Sequence, residues 1–241
     1  MRIKLFFVML FSAFFSLGNA QILYQYPEGQ DFYEGGREQF RQDLRNLVKI
    51  NQLNPCEKTE VLMMRFVVYP DRSIKYVADE DKLSLENNKC MKDKTLEIIK
   101  SMNKWKPAEV NGKKTPAMFA EVFTDVLFFE NQFNEDDHKS LVYIHKNKES
   151  TISQFRKNFM RCFDTNGYTV VEKYSFVLHF DVNANGEAGF FYIDMPSSLN
   201  RFNEMVIECA SNTKTSYWKP ATFKNIPYKS RLKMPITFTE R

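Results

Sequence analysis

The chain is poor in the features that mark several large protein classes. Its 241 residues include only eight Gly and nine Pro, which excludes collagen-like and low-complexity architectures. It has three His and four Cys, and no two Cys stand at CxxC spacing. No zinc ligand set is therefore expected. No GxSxG, HExxH, P-loop or GxGxxG run is present, so the usual signatures of hydrolases, metalloproteases and nucleotide binders are missing. The formal charge is only +4, without the basic excess of a nucleic-acid binder. No PxxP tract exists to form an extended spacer. No enzymatic activity, cofactor, metal or nucleic-acid partner is expected from these absences.

What is present begins with an address. Arg2 and Lys4 precede an apolar run over residues 5–17, and Gly18, Asn19 and Ala20 follow as small residues. This is the pattern of a secretory signal peptide over residues 1–20, with Gln21 as the mature start. The apolar run is short for a membrane span, which needs about 20 residues. A periplasmic or secreted protein without stable membrane insertion is expected. An uncleaved N-terminal anchor is the alternative.

The cysteines agree with export. Cys56, Cys90, Cys162 and Cys209 are even in number and all follow residue 20, so two disulfides are expected in an oxidising compartment. No Cys sits in an obvious basic or helix-start setting by sequence, so none is expected to be reactive.

Self-comparison shows a repeat. Trp105-Lys106-Pro107-Ala108 recurs as Trp218-Lys219-Pro220-Ala221, and Pro116 answers to Pro227. Phe66-Val67-Val68 with Pro70-Asp71-Arg72 answers to Phe180-Asp181-Val182 with Ala184-Asn185-Gly186. Phe40-Arg41-Gln42-Asp43-Leu44 answers to Phe155-Arg156-Lys157-Asn158-Phe159. Collinear matches of this kind divide the mature chain into two copies, 21–130 and 150–241, joined by a linker at 131–149. Pairing within each copy gives Cys56–Cys90 and Cys162–Cys209, each stabilising by roughly 4 kcal/mol on the chain-entropy model.

Each copy reads as α-β-β-α-β. In the first, Phe40, Leu44 and Leu47 mark a helix over 37–47, and 61–69 and 74–78 read as strands around a turn at Pro70. A helix over 92–103 precedes Trp105, and Pro107 prevents its continuation. Asn111-Gly112 is a turn, and 117–129 a long final strand. In the second copy, helices are expected at 152–163 and 202–211, and strands at 174–182, 190–193 and 231–238. The expected fold class is α+β, each unit having two helices packed on a three-stranded antiparallel sheet.

At this point a resemblance appears. The helix ending Ser101-Met102-Asn103-Lys104-Trp105-Lys106-Pro107, followed by Asn111-Gly112-Lys113-Lys114 and a strand, resembles the C-terminal domain of TonB. So does Phe32-Tyr33-Glu34-Gly35-Gly36 ahead of an amphipathic helix. The second copy keeps Trp218, Lys219 and Pro220 but has Lys224-Asn225-Ile226 in place of the Gly-Lys turn, and is divergent. The resemblance implies a periplasmic module that engages a protein partner, an outer-membrane transport component, by strand addition. The strands at 117–129 and 231–238 are the candidate edges, with Lys233 and Pro235 blunting self-pairing. A membrane-anchored energy transducer with an uncleaved N-terminal helix and a small-ligand binder reusing the fold are the other readings.

The remaining candidates are weaker. Glu135-Asp136-Asp137-His138 reads as a solvated acidic linker and His145 as a surface residue. His179 and Asp181 lie two apart on one strand face, a possible acid–base couple lacking a nucleophile. Trp105 and Trp218 read as core anchors.

Overall fold

The computed structural model describes residues 22–78, 81–130, 134–162, 173–194, 196–212 and 216–238. Residues 1–20 and Gln21 lie outside that set, as do 131–133 of the expected linker. The described chain is α+β, with six helices and several small antiparallel sheets. None of these helices is long and apolar enough to cross a membrane.

In the first half, α1 (Gly36–Ile50) buries Phe40, Leu44 and Val48, one residue per turn on a single stripe. β1 (Val61–Val68) pairs with β2 (Ile74–Val77) and with β5 (Ala117–Thr124), giving the sheet order β2-β1-β5. Between them come α2 (Lys82–Asn87), α3 (Lys89–Ser101) and the hairpin of β3 (Ala108–Val110) with β4 (Lys113–Thr115). All eight residues of β1 are buried. Leu62, Met64, Phe66 and Val68 enter the core beneath the helices with Phe40, Ile98, Trp105 and Phe119. Full burial of each such side chain stabilises by roughly 1.5–3 kcal/mol. The alternate residues, Val61, Met63, Arg65 and Val67, occupy the other face, which the second half covers.

One expected element is corrected. The strand beginning at Ala117 stops at Thr124, and α4 (Asp125–Phe129) follows. Thr124 accepts the Leu127 N–H on its side chain, 3.2 Å away, and so starts a helix where the apolar run suggested continued strand.

The second half repeats the arrangement. α5 (Ile152–Cys162) and α6 (Asn200–Ser211) accompany a sheet ordered β10-β9-β14, from β9 (Tyr174–Val182), β10 (Ala188–Asp194) and β14 (Ser230–Phe238). In both halves the first strand of the hairpin is central and the last strand is an edge. The segment expected as a linker contributes strands of its own: β6 (His138–Lys139), β7 (Val142–His145) and β8 (Lys148–Ser150). They pair with β11 (Ser216–Lys219) and β12 (Ala221–Phe223), and β12 forms a hairpin with β13 (Ile226–Tyr228).

The divergent turn of the second half keeps its shape. Asn111-Gly112 has φ of 51° and 74°, and Lys224-Asn225 has 49° and 64°. Both are two-residue hairpin loops with positive φ at both positions, the geometry that matches strand twist. Two disulfides are formed, Cys56–Cys90 and Cys162–Cys209, one in each half.

Candidate functional site

The open faces of the β2-β1-β5 and β10-β9-β14 sheets are turned toward each other. Arg65 of β1 and Asp181 of β9 meet there, Nη1 to Oδ2 at 2.9 Å, both almost fully buried. Arg231 of β14 bonds the other carboxylate oxygen through Nε at 3.0 Å. Phe190 covers Arg65, whose guanidinium carbon lies 3.9 Å from the ring centroid. Phe190 has φ 53°, a rare conformation for a bulky residue, at a bulge in β10. Val61, Val126, Ala221, Phe223 and Tyr228 add an apolar cluster that joins the halves.

Beside this junction lies a cleft of about 810 Å³ with β5 on one wall and β14 on the other. Met118, Ala120 and Val122 line the first wall, Ser230, Arg231 and Lys233 the second, and residues 25–32 cross one end. The edge of β5 is partly occupied already. Leu23 makes a parallel bridge to Ala117. Leu23 N–H donates to Pro116 O at 2.9 Å and Met118 N–H to Leu23 O at 2.8 Å. Backbone direction alternates along a strand, so Ala120 and Val122, like Met118, turn their N–H and C=O groups away from β1. Neither has a backbone partner on that side among the described residues. They are also the two half-exposed positions in a strand otherwise buried.

The edge is held rigid from behind. Phe119 stacks on Phe32 with centroids 3.9 Å apart. Glu121 is buried and is bonded by Arg37, with Arg41 at 3.7 Å. Burial pushes the Glu121 pKa up, and the two arginines oppose that shift. Across the cleft His138 Nε2 and the Tyr228 hydroxyl are 2.5 Å apart. Burial raises the Tyr228 pKa to about 12. Three buried polar atoms of lining residues, Gln25 Oε1, Ser230 Oγ and Arg231 Nη2, have no hydrogen-bond partner among the described residues.

The sequence-derived candidates fall in several places. Trp105 is 2% exposed, packs on Tyr33 and Phe119, and donates from Nε1 to Met102 O at 2.8 Å. Trp218 packs on Tyr143, Phe155 and Phe180. Lys106 gives its backbone N–H to Phe32 O, and Pro107 is buried beside it. Lys219 reaches Glu149 at 2.8 Å, and Pro220 follows it between β11 and β12. Gly112 is the second residue of the β3–β4 turn. None of these lines the cleft, and Trp105 and Trp218 belong to the two cores behind it.

His179 and Asp181 do not form the acid–base couple that their spacing allowed. Asp181 is taken by Arg65 and Arg231. His179 is fully buried and stacks on Tyr192 with centroids 4.5 Å apart. Burial, then Lys233 and Arg231, push its pKa down to about 4. Neither ring nitrogen has a partner among the described residues. His145 is half-buried against Asn158, with Nδ1 3.1 Å from Nδ2. In the acidic run, Asp137 lies 3.9 Å from Lys224.

Sequence reasoning missed the setting of one disulfide. α3 begins at Lys89, three residues before the expected start, which puts Cys90 in its first turn. Lys94 Nζ lies 3.6 Å from Cys56 Sγ. Glu60, Cys56 and Cys90 offer a carboxylate oxygen and two sulfurs within 4.8 Å of one another. With the bridge closed neither sulfur is a thiolate, so this trio lacks the donors of a zinc site. No protein-family model, curated protein or solved structure matches the chain.

Proposed function

We propose that the protein is an exported interaction module that takes an extended segment of a protein partner along the outward edge of β5. The carrying observation is the pair of outward backbone positions, Ala120 and Val122, on the wall of a large cleft. An added strand gains main-chain hydrogen bonds from such an edge and specificity from pockets beside it. Leu23 already pairs with this edge for one bridge, and a partner segment continues where Leu23 departs. The two disulfides are compatible with an oxidising compartment. The sequence resemblance to TonB C-terminal domains suggests an outer-membrane transport component as the partner.

The test is photocrosslinking in the native cell. A benzophenone side chain at Ala120 should give a discrete adduct. That adduct should vanish when Val122→Pro removes the outward N–H. A benzophenone at Ile50, 73% exposed on α1, is the control. Equal yields at Ala120 and Ile50 overturn the reading.

A second reading rests on the unpartnered Gln25 Oε1, Ser230 Oγ and Arg231 Nη2. Buried polar groups without partners are costly, and a small polar ligand in the cleft would relieve that cost. Native mass spectrometry of the purified chain separates the readings: a stoichiometric small adduct favours the second.

A further inference from the structure

The two disulfides sit in opposite electrostatic surroundings. Cys209 lies in the last turn of α6, where free carbonyls carry partial negative charge. A departing thiolate is disfavoured at Cys209, the buried member of that bridge. Cys90 lies in the first turn of α3, where free N–H groups carry partial positive charge. Lys94, one turn further along the same helix face, places its ammonium 3.6 Å from Cys56 Sγ. It is held there by the Asn54 carbonyl, to which it also donates. Both Cys56 and Cys90 are half-exposed, so a small thiol can reach them.

Two carboxyl groups complete the surroundings. Glu60 is 4% exposed and accepts the Met91 N–H at 2.7 Å, within 4.8 Å of both sulfurs. Asp125 Oδ1 faces the Cys56 N–H at 3.5 Å.

We propose that Cys56–Cys90 is an exchange-competent bridge that oxidises dithiols, while Cys162–Cys209 is a fixed structural bridge. The thiolate of an external dithiol attacks Cys90 Sγ. A bond forms between the external sulfur and Cys90, and the Cys56–Cys90 bond breaks. Its electron pair leaves on Cys56, beside the Lys94 ammonium. The second external thiol, deprotonated, attacks the external sulfur of this mixed disulfide and releases Cys90 at the helix start. The dithiol becomes a disulfide, and two electrons and two protons pass to the cysteine pair. Such exchange depends on how well the leaving thiolate is stabilised and on access to the attacked sulfur.

The test uses the full chain purified without reductant and dithiothreitol as the dithiol. Samples quenched with a maleimide over time are digested, and each cysteine pair is followed by mass spectrometry. Cys56–Cys90 should open at least tenfold faster than Cys162–Cys209. Lys94→Gln should slow that opening three- to tenfold and leave the other bridge unchanged. Lys94→Arg should keep the fast rate, and Lys92→Gln should have no effect. Equal rates for the two bridges, or a wild-type rate in Lys94→Gln, overturn the proposal.

Discussion

Arg65 and Asp181, 116 residues apart in sequence, form a buried ion pair between the open faces of two sheets. Arg231 shares the same carboxylate. Two guanidinium groups therefore share one anion in a place from which water is largely excluded. Asp181→Asn should cost about 3–5 kcal/mol, because it removes the buried anion that both guanidinium groups share. Urea denaturation reads this directly, and a loss below about 1 kcal/mol would show that water reaches both arginines.

Gly186 is fixed by a close approach as well as by its backbone. It has φ 87°, and a Cβ there would lie 2.1 Å from the Trp218 carbonyl oxygen. Gly112 has φ 74° but open space around it. Gly112→Ala should cost about 1–2 kcal/mol from the left-handed backbone alone. Gly186→Ala should cost about 1–3 kcal/mol more, for the backbone shift it forces. Equal melting temperatures for the two variants would contradict this ordering.

His179 makes stability depend on pH. Its pKa is about 4 in the folded chain against an ordinary 6.5. Between those values the unfolded chain binds a proton that the folded one does not. Stability is therefore fully present above about pH 6.5 and falls as pH drops toward 4. The charged neighbours that resist protonation are Lys233 and Arg231, while Tyr192 covers the ring. Melting temperature measured from pH 7.5 to 5 should decline more steeply in the wild type than in His179→Phe. Parallel curves would show that other groups set the slope.

Trp105 packs on Tyr33, Phe40 and Phe119 in the first core. Trp105→Ala should cost about 3–5 kcal/mol. An unchanged melting temperature would place this side chain at a binding surface instead.

Much of the element order was legible because single-residue periods carry it. Phe40 and Leu44 mark the buried stripe of α1, and the apolar run of β1, interrupted only by Arg65, reflects burial on both faces. What stayed hidden depends on contacts or on one local bond. Thr124 looks like any strand residue until its hydroxyl caps a helix. Asn88 precedes α3, but its side chain is occupied by Val61 N–H and Ser84 O, so no side-chain cap marks the start at Lys89. Missing that start hid the surroundings of Cys90. The cleft was less legible still. The strand edges could be guessed, but not that residues 22–32 return to lie against one of them, nor that Asp181 pairs with Arg65 rather than His179.

Each disulfide closes within one half, Cys56 to Cys90 and Cys162 to Cys209, and neither spans the junction. A single proteolytic cut between Glu130 and His138 would therefore yield two covalently independent fragments even in an oxidising medium. Among the described residues the shared carboxylate, Phe190 over Arg65, the Val61–Phe223 cluster and the contacts of the N-terminal segment would then hold them together. The molecule is in this sense a natural candidate for fragment complementation, in which the two pieces, produced separately and oxidised separately, reassemble around the cleft they jointly enclose.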